Sequence, residues 1–279
     1  MRSWVLLPAC CLLGACSLFV STDDLHSSTA TDAGGEPRDA GSADAPPASN
    51  DGSNGMPDAE ASIPFCARRN STFCADFGGG TPDEGWSRAD IDRGSLDLAV
   101  EGSSAPALRV SLLQGKGLKA ARLHRDFATT PADVHVELDV AIADALSNVR
   151  ELLKLEVPTS HETVAAGYFS SGLLLQLSGD ELRVVVEWFD AMGDPLEATY
   201  VSGKPFPVGA WAHVELDAVL SPSNGSLEVK IDGTSAISRT GITTLTDEPQ
   251  GSRLIVGAFA FDLEPASVYL IDNVLLDAK

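Results

Sequence analysis

The sequence predicts an all-β protein, a two-sheet antiparallel jelly-roll sandwich, preceded by a signal peptide and a disordered acidic linker. From Leu96 to the end, short segments alternate apolar and polar residues, and Gly, Pro, Asn, Asp and Ser separate them. Alternation with a period of two is typical of half-buried strands. About a dozen such strands without convincing helices indicate a sandwich or jelly roll.

The chain begins with a secretory signal, because Arg2 precedes an apolar run, Trp4 to Leu13, that is too short to span a bilayer. The segment Leu13-Gly14-Ala15-Cys16 resembles the lipobox of bacterial lipoproteins. The resemblance implies that residues 1–15 are cleaved off and that Cys16 is acylated. Its acyl chains would anchor the protein in the lipid bilayer of the bacterial cell envelope, at the outer membrane or cell surface. A plain secretory signal cleaved nearby is the alternative.

Residues 16–64 are predicted to be a disordered acidic linker. After Leu25 this segment consists largely of Asp, Ala, Ser, Gly and Pro, with almost no large apolar residue. Such a composition cannot bury enough apolar surface to offset the entropy lost on ordering.

Residues 65–279 are long enough to form one large β domain. The whole chain carries 40 acidic against 19 Lys and Arg residues, a net charge of −21. This balance argues against nucleic acid and against an anionic membrane surface as partners. It is compatible with calcium, a cationic partner or a neutral glycan.

The cysteines are consistent with export. Cys10 and Cys11 leave with the signal and Cys16 carries lipid, so Cys66 and Cys74 remain. In an oxidising compartment two thiols at this spacing predict a disulfide. A metal pair is the weaker alternative, because no further cysteine is left to complete a thiolate site.

The predicted strands follow in order as ALRVSLL, LKAARLHRDF, VHVELDVAI, RELLKLEV, GLLLQLS, LRVVVEWF, EATYVS, AHVELDAVL, LEVKIDG, RLIVGAFAF and VYLIDNVLL. Turn signals lie between them at residues 177–180 (LSGD) and 222–225 (PSNG). RELLKLEV alone is also compatible with a helical turn, which Val157-Pro158 would end.

Residues 210–237 contain a Trp, a His two places later, an alternating strand, a turn and a strand ending in Asp-Gly. With SRLIVGAF (252–259) and VYLIDNVLLD (268–277), this order resembles laminin G-like and concanavalin A-like jelly rolls. The opening FCADF…GWS (73–87) resembles jelly-roll carbohydrate-binding modules. These families include lectins, glycoside hydrolases, polysaccharide lyases and adhesive domains, so the fold does not settle the function.

The same resemblance implies a structural calcium ion. In jelly-roll binding modules an acid near the first strand and an Asp in the last strand often hold calcium, and Asp76 and Asp272 occupy those positions. Carboxylate oxygens suit this ion. Asp residues that cap a turn or end a strand are the alternative.

The pentapeptide HVELD occurs at 135–139 and again at 213–217. In each copy His, Glu and Asp lie on one strand face and apolar residues on the other. The flanks share no extended similarity, so we reject a duplicated unit. A His-x-Glu pair could chelate zinc, but a solvated charged face explains the same residues.

Laminarinase-type jelly rolls carry Glu-x-Asp-x-Glu on one strand. Glu137 and Glu215 match its start, but Ala141 and Val219 stand where the second Glu would be. Retaining hydrolysis needs two carboxyl groups about 5–5.5 Å apart, although a carboxylate from a neighbouring strand could substitute.

The sequence therefore predicts a carbohydrate-binding domain that does not catalyse a reaction and has no catalytic residues. Tyr168, Gln176, Glu187 and Tyr200 are expected to line the exposed face of the middle strands. The alternatives are an adhesive or structural domain that binds a cell-envelope protein and, less favoured, a glycoside hydrolase or lyase of the jelly-roll class.

Cys16→Ser will release the protein from membranes, because acyl chains on this sulfur are its predicted anchor. Metabolic labelling with a radioactive fatty acid and membrane fractionation measure the effect. Cys10→Ser, within the cleaved signal, is the matched control. Unchanged lipid labelling of Cys16→Ser would refute the anchor.

Overall fold

The computed structural model describes residues 64–279, apart from residues 101, 104–105, 144–145, 159–170, 191, 246–250 and 264–265. The signal segment 1–15, the lipidation site Cys16, the linker up to residue 63, and Tyr168 lie outside the described residues. Contacts divide the chain into two units, residues 1–56 and 57–279, and every described residue belongs to the second. Among the described residues there is no helix with the length and apolar character needed to cross a membrane.

The described residues form two antiparallel sheets, which confirms the predicted all-β sandwich. Sheet A runs from β13 (Thr234–Ile242) through β12 (Gly225–Ile231), β11 (Trp211–Val219), β6 (Asp133–Ile142), β15 (Ser267–Ala278) and β4 (Ala107–Leu112) to β3 (Gly94–Ala99), and β1 (Phe73–Ala75) pairs with β15. Sheet B runs from β10 (Pro195–Pro205) through β9 (Glu181–Phe189), β8 (Gly172–Gly179), β7 (Leu146–Glu156), β14 (Ser252–Leu263) and β5 (Gly115–Phe127) to β2 (Arg88–Asp92).

Alternation along each strand separates an inner face from an outer one. The inner faces of both sheets meet in a single apolar core. On one representative strand of each sheet, the buried inner residues are Val134, Val136, Leu138, Val140 and Ile142 of β6, and Leu173, Leu175 and Leu177 of β8. Each large aliphatic side chain buried in this way contributes about 1.5–3 kcal/mol. The outer faces are thus left to carry the polar residues.

The segment RELLKLEV is part of strand β7 and forms no helical turn. It pairs with β8 on one side and β14 on the other, and Leu153 and Leu155 point into the core. Strand pairing on both sides overrides the local compatibility with a helix. One irregularity remains, because both Leu152 and Leu153 are buried, and the register with β8 shifts between Glu151 and Leu153.

The disulfide between Cys66 and Cys74 is formed, as predicted. It joins a 3₁₀ turn, Cys66–Arg68, to β1. Closing such a short loop stabilises the fold by about 2–3 kcal/mol on the chain-entropy estimate. Beside it the rings of Phe73 and Trp86 pack edge to face, with centroids 4.8 Å apart, which closes this end of the core.

The two HVELD segments are neighbours in sheet A. Strands β6 and β11 run antiparallel, and their register aligns the two copies residue for residue in opposite directions. Each histidine therefore lies opposite an aspartate. A distance of 2.7 Å separates His135 Nδ1 from Asp217 Oδ1, and the same distance separates His213 Nδ1 from Asp139 Oδ1. Two reciprocal His–Asp contacts thus link the central strands of the sheet.

Asp217→Asn will weaken this link in a pH-dependent way. Burial lowers the pKa of His135, but hydrogen bonds to Glu137 and Asp217 outweigh it and raise the pKa above 6.5. Burial raises the pKa of Asp217, but bonds to His135 and Lys230 outweigh it and bring the pKa below 3.8. Stabilisation from His135 is complete below about pH 6.5 and is lost as the pH rises through its folded pKa. Stabilisation from Asp217 is present above about pH 4 and is lost as the pH falls through its folded pKa.

Thermal unfolding of the wild type and of Asp217→Asn, in buffers from acid to alkaline pH, measures the effect. A partly exposed pair contributes at most about 1 kcal/mol, which corresponds to a Tm decrease of roughly 2–4 °C for a domain of this size. We expect the largest decrease between about pH 4 and 6.5. Asp97→Asn, at an exposed position of β3, is the control. A decrease that does not change with pH contradicts the assignment.

Candidate functional site

The predicted ligand residues do not share one site. Gln176 and Glu187 both point to the outer face of sheet B, since Leu175 and Val186 beside them lie in the core. Tyr200 instead packs against the core, with Arg239 over its ring at 5.1 Å. Tyr168 is outside the described residues.

The predicted calcium residues already accept hydrogen bonds. Asp76 accepts from the backbone amides of Cys66 at 3.4 Å and Gly78 at 3.3 Å. Asp272 is fully buried and accepts from Ser103 Oγ at 2.9 Å. In the part of the chain that the structure describes, no group of three or more His, Cys, Asp or Glu side chains is arranged to hold a metal ion. Calcium binding at Asp76 and Asp272 stays a prediction.

The twin HVELD strands do bring two glutamates together on the outer face of sheet A. Glu137 lies directly opposite Glu215, where paired Cβ atoms are about 4.5–5.5 Å apart. Each carboxylate already has a cation beside it, Arg69 at 3.1 Å and Lys230 at 3.4 Å respectively. A retaining hydrolase instead needs one carboxyl group that holds a proton. We therefore conclude that Glu137 and Glu215, with their cations, link strands β6 and β11.

The outer face of sheet B carries a cluster of bases. Arg122 and His124 are two residues apart on β5 and point away from the core. The register places Arg88 of β2 beside His124, and Arg253 of β14 forms an ion pair with Asp126 of β5. Acids accompany these bases on the same face, since Arg122 donates to Asp90 Oδ2 at 2.6 Å and Arg253 also pairs with Glu156 at 2.7 Å.

His124 is a neutral hydrogen-bond donor at neutral pH. The residue is 2% exposed, and burial, followed by the charges of Arg88, Arg122 and Arg253, lowers its pKa to about 4. An arginine can only donate, so the contact of Arg88 with Nδ1, at 3.4 Å, leaves the ring proton on Nε2. Among the described residues this buried Nε2 has no hydrogen-bond partner.

Glu151 of β7 is the buried acid beside these bases. Asp90 and Asp126, which also pair with them, are partly exposed. It is 6% exposed, and burial raises its pKa, an effect that Lys154 and Arg122 oppose. Its buried Oε1 has no hydrogen-bond partner within the described ranges, and Arg122 Nη1 lies 3.9 Å away. A carboxyl group of this kind can exchange a proton closer to neutral pH than an exposed one.

Gly257 explains how Arg122 and Glu151 meet across an intervening strand. It lies on β14, opposite Arg122 in the register. Its φ is 134°, and a Cβ atom here would approach the carbonyl oxygen of Ala121 to 2.2 Å, so only glycine fits. The missing side chain leaves the space above β14 open to the two charged groups.

An ion pair and an aromatic pair border this cluster. Lys154 Nζ donates to Glu187 Oε2 at 3.0 Å, and burial raises the pKa of Glu187 against the effect of Lys154. The Arg122 guanidinium stacks on Phe259 at 4.7 Å, which fixes its direction. Phe261, 52% exposed, packs edge-on against Phe259 at 5.3 Å.

The residues predicted from the sequence do not include Arg122, His124 or Glu151. The segment LKAARLHRDF does contain a signal, because its alternation places Arg122 and His124 on one strand face. No local pattern connects that face with Glu151, which depends on sheet order and on the irregularity in β7.

No family model matches the chain, and no curated protein matches it. Solved structures of the same fold do exist. The endo-β-1,4-glucuronan lyase of the fungus Trichoderma reesei aligns with a TM-score of 0.62 and 12% identity, over 75% of this chain and 96% of the lyase. Alginate lyase vAL-1 from Chlorella virus aligns at 0.53 and 8%, over 70% and 93%. The GH16 protein of the Bacteroides ovatus mixed linkage glucan PUL aligns at 0.53 and 11%, over 73% and 99%.

These comparisons contradict the prediction of a non-catalytic carbohydrate binder that is not an enzyme. The similar structures are mostly polysaccharide lyases and a GH16 protein, which agrees better with the less favoured alternative of a jelly-roll hydrolase or lyase. The prediction of no catalysis was wrong because it considered only carboxyl groups on sheet A. The missing carboxylates at Ala141 and Val219 concern sheet A, whereas the buried, unpaired titratable groups lie on sheet B.

His124 will titrate near pH 4 in the folded protein, and Arg88→Gln will raise its pKa towards 6.5 because one of the charges that oppose protonation is removed. NMR chemical shifts of the imidazole measure this. Because the folded pKa is the lower one, the unfolded chain binds more protons between about pH 4 and 6.5, and stability rises with pH in that window. Arg183→Gln, on β9, is the control. A wild-type pKa near 6.5 would refute the account.

Proposed function

We propose that the chain is a carbohydrate-active enzyme that cuts an acidic polysaccharide by β-elimination on the outer face of sheet B. One observation carries the proposal. Arg122 Nε, His124 Nε2 and Glu151 Oε1 are buried and have no hydrogen-bond partner in the described part of the chain. Folded proteins leave few buried polar atoms unpaired, and each exception needs an explanation. A uronate bound on this face would bring its carboxylate to the two donors and a hydroxyl group to Glu151 Oε1.

The two donors suit the charge that develops on a uronate. Its carboxylate lies next to the carbon that loses a proton, and removal of that proton moves negative charge onto the carboxylate oxygens. Donors aimed at such oxygens lower the barrier in a site shielded from water. The Arg122 guanidinium supplies a charged donor. His124 supplies a neutral one that remains protonated at Nε2 while it donates, since Arg88 occupies Nδ1.

Glu151 suits the proton transfer. Its carboxylate takes the proton from the carbon next to the uronate carboxylate. The electron pair of the broken C–H bond forms a C=C bond as the bond between the β carbon and the glycosidic oxygen breaks. The leaving oxygen then takes the proton from Glu151, which returns to its carboxylate form. Burial favours this role because it raises the pKa of Glu151, which makes its carboxylate a stronger base.

The partners of the two carboxyl groups with raised pKa favour elimination over hydrolysis on this face. Glu187 is already held by Lys154, whose Nζ donates to its Oε2 at 3.0 Å, whereas Glu151 Oε1 has no hydrogen-bond partner among the described residues. Elimination needs one carboxyl group as a base, and glycoside hydrolysis needs a pair.

The proposed location of the enzyme is the bacterial cell envelope. The apolar run up to Leu13 and the segment Leu13-Gly14-Ala15-Cys16 support acylation of Cys16. The linker 16–64 would then tether the domain to the bilayer, and the enzyme would meet polysaccharide outside the cytoplasm. Cys16 is outside the described residues, so this part rests on the sequence.

Glu151→Gln will abolish cleavage of a polyuronate while the fold is kept, because the amide cannot take the proton. We expect a loss of about 10²–10⁴-fold in kcat, the usual contribution of a general base. The mature protein is incubated with polyuronates and with neutral glucans, and the ultraviolet absorbance of the unsaturated product is followed. Glu197→Gln, exposed on β10 of the same sheet, is the matched control.

Elimination alone produces the absorbing double bond, whereas hydrolysis produces reducing ends without it. New reducing ends with no absorbance would replace the proposal with hydrolysis. Full activity in Glu151→Gln would remove Glu151 from the mechanism, and no cleavage of any polysaccharide would overturn the proposal.

A further inference from the structure

Two inward-facing residues of β15, in sheet A, reach across the core to β7, in sheet B. The Tyr269 hydroxyl lies 2.7 Å from the carbonyl oxygen of Gly257 and 3.2 Å from that of Glu151. Two positions earlier, Ser267 Oγ accepts a bond from Arg150 Nε at 3.3 Å. One strand of sheet A thus holds two consecutive residues of β7.

These contacts are made where the strand register is irregular. The register of β7 with β8 shifts between Glu151 and Leu153, and the register of β14 with β7 shifts between Val256 and Phe259. An irregularity of this kind takes backbone groups out of the regular ladder. Tyr269 supplies a donor at that point, inside the apolar core.

The irregularity decides which way Glu151 points. Arg150 is buried on the core side, whereas Glu151 shares the outer face with Lys154, three positions further on. In a regular strand, residues an odd number of positions apart lie on opposite faces. The extra residue is therefore what places both Glu151 and Lys154 on the outer face.

We infer that Tyr269 is a positioning residue that holds the Glu151 carboxylate on the outer face from the opposite sheet. Burial, and then the charge of Glu151, raises the pKa of the phenol well above its ordinary value of 10, so the hydroxyl stays a donor. The role of Glu151 rests on the proposed function. The placement of Glu151 by Tyr269 does not.

The test compares Tyr269→Phe with Tyr200→Phe in the mature protein. The first removes only the buried hydroxyl between the sheets; the second removes a hydroxyl from a tyrosine packed at the edge of the core. We expect Tyr269→Phe to lower kcat by roughly 10²-fold, the effect of a displacement of about 1 Å at a reacting group. KM should stay unchanged, because Arg122 and His124 still bind the substrate. Tyr200→Phe should change neither.

Hydrogen exchange supplies a readout that does not need activity. Tyr269→Phe should speed amide exchange at residues 151–153 and 257–259 while the other strands of sheet B keep their protection. If the variant does not fold, Ser267→Ala removes the neighbouring bond to Arg150, and faster exchange at 150–152 is expected instead. Unchanged exchange at these residues overturns the inference.

The two hypotheses fail differently. If Glu151→Gln is inactive and Tyr269→Phe is as active as the wild type, the positioning role is wrong and the proposed function stands. If wild type cleaves no polysaccharide but exchange changes as expected, the proposed function is wrong and the positioning of Glu151 stands.

Discussion

The shared apolar core is the constraint on which the rest of the structure depends. Each sheet can bury only one face, and burying the same face on every strand fixes the register of all of them, since a slip of one residue would expose the whole apolar set. Charged groups can enter the core where backbone oxygens pair with them. Lys119, for example, is fully buried and donates to the carbonyl oxygens of Gly115 and Gly117.

The two outer faces use their charges differently. On sheet A the His, Glu and Asp side chains of the twin pentapeptides find partners in each other or in Arg69 and Lys230. On sheet B, buried atoms of Arg122, His124 and Glu151 are left unpaired among the described residues. Unpaired buried polar groups destabilise the folded state. A fold that keeps several of them on one face therefore needs a functional reason to do so. For this reason we propose the site on sheet B, although sheet A holds the more conspicuous sequence motif.

The strand pattern was sufficient to predict the fold class and the buried faces, and the number of cysteines left after export was sufficient to predict the Cys66–Cys74 disulfide. The strand pattern also placed Gln176 and Glu187 on one outer face, but Tyr200 packs against the core. The functional prediction failed because it judged catalysis from spacing within one strand. Glu137 and Glu215 meet across adjacent strands, and Arg122 and Glu151 meet across the intervening β14, over the side-chain-free Gly257.

The sequence by itself determined which face of each strand is buried, because apolar and polar residues alternate along the segments. Only the tertiary structure decided which strands are neighbours, and therefore which charged side chains meet. Sheet order pairs two HVELD copies that start 78 positions apart in the chain. An extra residue in β7, contacted from the other sheet, turns Glu151 outward. Such pairings depend on contacts between distant segments, and no local pattern of apolar and polar residues encodes them.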